Sequence, residues 1–269
     1  SVLMRVGLAA LVFLPFLRTR GQSPRTIVLY MLVGAMQLGI MYLLAFRAYL
    51  YLTVSEFLLF TVFTPLYITL IYDLLSGRKL RWGYLLSAAL AVLGAAIIRY
   101  DKVSDHFWTG LLLVQLSNLC FAIGMVGYKR LMEVRPMPQH NAFAWFYVGA
   151  FIVAVAAWFM LGNAQKLPTT TLQWSVLVWL GVVASGLGYF MWNYGATQVD
   201  AGTLGIMNNV HVPAGLLVNL AIWQEQPHWP SFISGALVIL ASLWVHRRWV
   251  APHSGQTADD RRRGSAQSE

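Results

Sequence analysis

Apolar residues recur in runs of roughly 17 to 25 positions from one end of the chain to the other, the length a helix needs to cross about 30 Å of hydrocarbon. Nine such runs lie near residues 2–17, 27–46, 54–75, 82–98, 107–128, 141–161, 173–194, 203–223 and 230–249. A backbone in lipid must satisfy its own hydrogen bonds, and runs this long exceed a barrel strand, so each predicts a membrane-spanning α-helix. The last stretch, 251–269, turns polar and charged and cannot bury enough apolar surface to fold, which predicts a disordered tail.

The polar breaks between the runs are not equivalent. Alternate connections carry most of the basic residues: Arg18, Arg20 and Arg25, then Arg78, Lys79 and Arg81, then Lys129, Arg130 and Arg135, and finally Arg247, Arg248, Arg261, Arg262 and Arg263. The opposite connections hold Arg47, Arg99, Lys102 and Lys166. By the positive-inside rule the richer side faces the cytoplasm, so the tail is expected there and residue 1 on the outside.

Spacing along the chain also suggests an internal repeat. Pro65 and Pro213 are 148 residues apart, and the same offset carries the first run onto the sixth, the second onto the seventh and the fourth onto the ninth. The fifth run has no partner, because its counterpart would lie ahead of Ser1, so one further helix is expected before the first. Five helices per half is an odd number, which turns the halves upside down relative to one another, a common build for secondary transporters with the site between the halves. The expected fold is thus an all-α membrane bundle: 1–100 as the first repeat, 101–250 as the second and 251–269 as a cytoplasmic tail.

Composition points the same way. Hydrophobic residues make up 58% of the chain, charged residues 11%, and the mean hydropathy is +0.60, against about 45–50% and about 25% in soluble domains. Lipid must therefore solvate much of the surface. A net charge of +9 would suggest nucleic acid in a soluble protein, but here the charges sit between apolar runs, and the bilayer is the expected partner instead. The single cysteine, Cys120, lies inside a run, which excludes an internal disulfide and a cysteine zinc cluster.

Polar groups in hydrocarbon are costly unless paired or facing a cavity, so each is a candidate for the substrate pathway. The densest group is Asn208, Asn209 and His211, just before Pro213. Asn208 and His211 share a helix face, and the proline frees the carbonyl of Asn209, so a kinked segment would present convergent polar groups. Thr61 and Thr64 precede Pro65 in the matching position, and Pro65 and Pro213 are the candidate hinges. Gln115 with Asn118, and Gln37, each give a helix one polar face; packing between helices is their competing role. Tyr189, Trp192 and Asn193 lie within one turn and could wall an amphipathic substrate, or belong to an interfacial aromatic belt. Arg5 could meet a substrate carboxylate or Glu56, and Glu56 could carry a coupling proton, or both could reach the headgroups. Gly181, Ser185 and Gly188 form a small-residue face that predicts close packing, and Asp73 and Glu225 predict turns at the membrane surface.

The segments Leu187-Gly188-Tyr189-Phe190-Met191-Trp192-Asn193, Val212-Pro213-Ala214, Gln224-Glu225-Gln226 and Ile233-Ser234-Gly235-Ala236-Leu237-Val238-Ile239 together resemble the drug/metabolite transporter superfamily, in particular its EamA-type members. Thr64-Pro65, Ser76-Gly77-Arg78-Lys79-Leu80 and Ala88-Ala89-Leu90-Ala91-Val92-Leu93-Gly94 repeat the theme, and Met4-Arg5 with Leu8-Ala9-Ala10 is similar to the family's second helix. Two departures stand out: the turn glutamate is absent after Gly77, and Glu225 lacks the usual arginine behind it. The resemblance implies a ten-helix inner-membrane carrier with both termini cytoplasmic, exporting amino acids or related small metabolites without a cofactor.

A membrane enzyme is the alternative from another class, and a channel or receptor a third. Acid–base chemistry needs positioned ionisable partners, yet only His211 of the six histidines falls mid-span. Neither a His-Glu-x-x-His helix nor a nucleophile elbow occurs in the sequence. The expected function is secondary transport of a small molecule, not catalysis.

Overall fold

The computed structural model describes residues 2–77, 107–162, 168–199 and 201–208, with isolated positions 214, 230, 233, 234, 237 and 241. The described segments form helices without a strand. Helix α1 is Val2–Phe13, closed by a tighter turn over Leu14–Phe16. Helix α2 is Pro24–Ala48, and Ser23 caps its start by accepting from the Thr26 amide, with Pro24 preset for the first turn. Helix α3 comprises Val54–Phe60, a tight turn Thr61–Phe63, and Thr64–Leu75. Helices α4 (Phe107–Val134), α5 (Gln139–Leu161), α6 (Thr171–Ala196) and α7 (Ala201–Asn208) follow. At the start of α6 Thr170 and Gln173 satisfy each other's backbone amides reciprocally.

Among the described residues five helices are long and apolar enough to cross a membrane: α2, Glu56–Leu75 of α3, Trp108–Val134 of α4, α5 and α6; Val2–Phe16 is a shorter apolar helix. The expected spans 82–98 and 230–249, most of 203–223, and the tail 251–269 lie outside the described residues. Helix α4 extends past the expected 128 to Val134, which places Lys129 and Arg130 on the helix, where both pair with Glu133 one turn on. Asp73 is a correction: it sits inside α3, 4% exposed, and not in a surface turn, because the helix continues to Leu75 and ends only where Gly77 takes a left-handed φ of 64°.

The chain divides into two compact units, each drawn from both halves of the sequence: unit 1 is Ser1–Thr53 with His106–Ala201, and unit 2 is Val54–Asp105 with Gly202–Glu269. In unit 1, α2 and α5 cross through a reciprocal pair of glycines. A Cβ on Gly34 would collide with the Phe146 carbonyl, and one on Gly149 with the Met31 carbonyl, so the two backbones touch where lipid offers no hydrophobic drive for association. Aromatic rings fill the space beside this crossing: Phe143 stacks on Phe146 at 4.6 Å and meets Tyr147 edge-on at 5.2 Å, while Phe13 lies 5.3 Å from Phe190.

One end of unit 1 is basic and tied by hydrogen bonds. Arg135 donates to Thr26 Oγ1 at 3.1 Å, and Tyr30 donates to the Arg135 carbonyl at 3.1 Å. Trp145 donates to the Arg18 carbonyl at 3.2 Å. Buried Lys129 donates to the carbonyls of Ala196 (3.2 Å) and Val199 (2.7 Å), a cation capping the end of α6.

In unit 2, α3 is broken by the Thr61–Phe63 turn, and Pro65 opens the next helical segment, where a missing amide costs least. Gly205 of α7 lies over that proline: a Cβ there would stand 3.1 Å from the Pro65 Cβ.

Candidate functional site

Two stretches of unit 1 wind more widely than an α-helix, and both carry polar residues at membrane depth. Ala35–Ile40 of α2 and Trp179–Gly188 of α6 are π-helical, a geometry that leaves backbone groups off the regular ladder and recurs at functional sites. Tyr147 of α5 supplies a partner for one such group, donating to the Ser185 carbonyl.

Ser185 is the hub of a cluster that three helices build. Arg5 of α1 donates to Ser185 Oγ from Nε (3.3 Å) and Nη2 (3.1 Å), and to the Tyr42 hydroxyl from Nη2 (3.2 Å). The hydroxyls of Tyr42 and Ser185 are hydrogen-bonded at 3.1 Å. The Arg5 guanidinium lies 4.8 Å from the Tyr42 ring centre and 5.9 Å from that of Phe46. Among the described residues no carboxylate forms a salt bridge with Arg5, and its Nη1 amino group has no hydrogen-bond partner. A guanidinium is a permanent cation, and placing one at membrane depth costs about 2.5–3.5 kcal/mol by insertion scales. This arrangement offers an anion two free donors backed by hydroxyls and rings.

Tyr189 extends the cluster along α6, with its ring 6.1 Å from Tyr42 and 6.4 Å from Phe121 of α4. One turn further, Trp192 donates to the Met125 sulfur at 3.0 Å, and fully buried Asn193 donates from Nδ2 to the Tyr189 carbonyl at 3.0 Å. Among the described residues Asn193 Oδ1 has no partner. Gln37, in the π-helical stretch of α2, is also fully buried, and neither its Oε1 nor its Nε2 has a partner among the described residues. Gly124 of α4 admits it: a Cβ there would stand 2.7 Å from Gln37 Cα and 2.9 Å from its Cγ.

Of the residues singled out in the sequence, Arg5, Gln37, Tyr189, Trp192 and Asn193 therefore belong to one unit and to neighbouring levels of it. Gln115 is half-buried and Asn118 buried on α4. Thr61, Thr64 and Asn208 are buried in unit 2, where Thr61 donates to the Leu58 carbonyl of its own helix at 2.6 Å. Asn209, His211 and Pro213 lie outside the described residues. Sequence reasoning missed Tyr42 and Tyr147, and assigned Ser185 to packing alone. Gly181 does pack closely, its Cβ position lying 2.7 Å from the Leu8 Cβ, but Ser185 on the same face holds the arginine.

Residues 108–247 match the EamA-like transporter family. The chain is 82% identical over 269 residues to the biotin transporter of Escherichia coli (strain K12), spanning 100% of this chain and 90% of the relative. It is 53% identical over 249 residues to the probable biotin transporter of Pseudomonas aeruginosa, spanning 92% of this chain and 87% of that one. One solved crystal structure has a similar fold, with a TM-score of 0.68 over 91% of this chain and 85% of its own, at 17% identity.

Proposed function

The chain belongs to the EamA-like transporter family, and from that premise we propose that the small metabolite this multi-pass membrane transporter carries is biotin. The observation that carries the reading is the 82% identity, over every residue of the chain, to a protein named for biotin transport. Biotin replaces the amino acids expected from the family resemblance and keeps the one group they share with it, a carboxylate.

The site chemistry supports that exchange. Biotin is an amphipathic acid: a carboxylate on a flexible methylene chain, then an apolar bicycle that ends in a cyclic urea. The free donors of Arg5 suit the carboxylate, since arginine pairs with carboxylates in a fork geometry that strengthens in a dry site. The rings of Tyr42, Phe46 and Tyr189 beside it suit the methylene chain. Binding removes a net charge from the low-dielectric interior, so the loaded site is cheaper to isolate from water than the empty one.

We place the carrier in the inner membrane with the C-terminus in the cytoplasm, on the bias of basic residues toward one set of connections. The gathering of Arg18, Lys129 and Arg135 at one end of unit 1 supports that orientation. The boundaries of the two units, Thr53/Val54 and Ala201/Gly202, stand 148 residues apart, the offset between Pro65 and Pro213. This coincidence supports the five-plus-five repeat of a secondary transporter.

Radiolabelled biotin supplied to, or preloaded into, proteoliposomes holding the full chain tests the substrate and the direction together. Saturable flux that excess biotin blocks and amino acids do not is the expected result. Flux of amino acids with none of biotin overturns the reading.

A further inference from the structure

Among the described residues three amide atoms of unit 1 stand unpaired: Gln37 Oε1, Gln37 Nε2 and Asn193 Oδ1. Both side chains are fully buried, and groups so placed are almost always bonded in native proteins, so an unpaired set calls for an explanation. The orientation of Asn193 is fixed, because only its nitrogen can donate to the Tyr189 carbonyl, which leaves the oxygen as the free end. Gln37 offers one amino group and one oxygen. Together they present one donor nitrogen, with two N–H bonds, and two acceptor oxygens.

Helix register brings these groups to a common level. Gln37 meets α4 at Gly124, and the turn bearing Asn193 meets α4 next door, through Trp192 on Met125. The Arg5 cluster meets the same helix one turn earlier, through Tyr189 on Phe121. Gln37 is five residues from Tyr42 and Asn193 four from Tyr189, a separation of about 6–7 Å along each axis. The two levels are displaced in the same sense along α4, and the Tyr42 and Tyr189 rings lie at the first of them.

We infer that Gln37 and Asn193 form the second pole of the site and read the cyclic urea of the substrate whose carboxylate Arg5 holds. A urea presents one carbonyl acceptor and two N–H donors, the complement of the one donor nitrogen and two acceptor oxygens left over here. Gln37 Nε2 donates to the urea oxygen, Gln37 Oε1 accepts from one N–H and Asn193 Oδ1 from the other. In this assignment the apolar bicycle lies between the poles, beside Tyr189. This assignment rests on the biotin reading above and sets its specificity: a monocarboxylate without a urea leaves three buried polar atoms unpaired and is rejected.

The test uses the full chain in proteoliposomes, with labelled biotin and two competitors, biotin methylated on a urea nitrogen and the alcohol analogue that lacks the carboxylate. Wild-type flux is expected to discriminate at least tenfold against both. Gln37→Leu should raise the biotin KM at least tenfold and lose discrimination against the N-methyl compound while keeping it against the alcohol; Arg5→Met should do the reverse. Asn193→Asp, which keeps the oxygen, should retain more urea discrimination than Asn193→Leu. Thermal unfolding of the ligand-free protein supplies a readout independent of transport: Gln37→Leu should raise the midpoint, because it removes unpaired polar atoms. A lowered midpoint for Gln37→Leu, or unchanged urea discrimination in both Gln37→Leu and Asn193→Leu, makes the pair structural and overturns this assignment while leaving the biotin reading intact. No biotin flux in the wild type overturns the biotin reading itself, and the urea site falls with it.

Discussion

In unit 1 the polar side chains at membrane depth converge: Arg5, Tyr42, Ser185 and Tyr147 join four helices through hydrogen bonds, and Gln37 and Asn193 stand one turn away. In unit 2 the features of note are breaks in the backbone. A tight turn interrupts α3 at Thr61–Phe63, Pro65 restarts it, and Gly205 rests on that proline. Thr61 and Thr69 spend their hydroxyls on carbonyls of their own helix. The contrast suggests a division of labour in which unit 1 supplies the chemistry of recognition and unit 2 supplies bendable helices. It also implies that substitutions in the two units should fail differently.

The largest effect is expected where unit 1 is tightest. Gly149→Leu forces a side chain into the Met31 carbonyl, and should remove nearly all folded protein from the membrane, measured as monodisperse fluorescence on size exclusion. Gly205→Ala in unit 2, with 3.1 Å to the Pro65 Cβ, should cost far less. Equal losses would erase the contrast in packing.

Next comes Arg5→Met. Charge-assisted hydrogen bonds contribute about 1.5–3 kcal/mol each, so if Arg5 holds the biotin carboxylate as proposed, its loss should raise the biotin KM by about 10- to 100-fold with membrane abundance retained. Arg5→Lys should recover only part of this, because an ammonium lacks the planar fork. Pro65→Ala should do the opposite if Pro65 is a hinge: KM within about twofold of wild type and a maximal flux reduced several-fold. A raised KM with unchanged maximal flux would move Pro65 into the binding site and blur the division. The smallest effect should come from Asn208→Ala. Removing one hydrogen-bonding group is worth about 0.5–1.5 kcal/mol, or about two- to tenfold in flux.

How much of this was legible beforehand follows from how local each signal is. A span needs only its own run of apolar residues, so α2 to α6 were visible as lengths of sequence, and α4 was misjudged only at its charged end, where Lys129 and Arg130 continue the helix by pairing with Glu133. Arg5, Gln37 and Asn193 stood out because a polar group in hydrocarbon is conspicuous by itself. Their partners did not. Tyr42 looks like any amphipathic ring, Ser185 sits among glycines, and they lie 37 and 180 residues from Arg5. The proline-flanked Asn208 was conspicuous for the same local reason, yet it lies in unit 2. Sequence pattern marks polar groups; only packing decides which of them meet.

The wide turn over Ala35–Ile40 has one more consequence, best put in genetic terms. A π-helical turn holds one residue more than an α-helical one, so the stretch behaves as a reading-frame shift between two helical faces of α2. Losing a single codon here would let the turn close with ordinary winding and leave 24–34 and 41–48 on nearly their present faces, because the wide turn is where the extra residue is absorbed. Tyr42 would keep its place on Ser185, and Tyr30 and Thr26 theirs on Arg135. The same in-frame deletion in the short connection after Ala48 would alter a loop and leave both faces aligned. A deletion scan across α2 should therefore find the codons of Ala35–Ile40, Gln37 excepted, more forgiving than those of Pro24–Gly34 or Met41–Ala48, where no wide turn absorbs the lost residue and one face rotates by about 100° against the other.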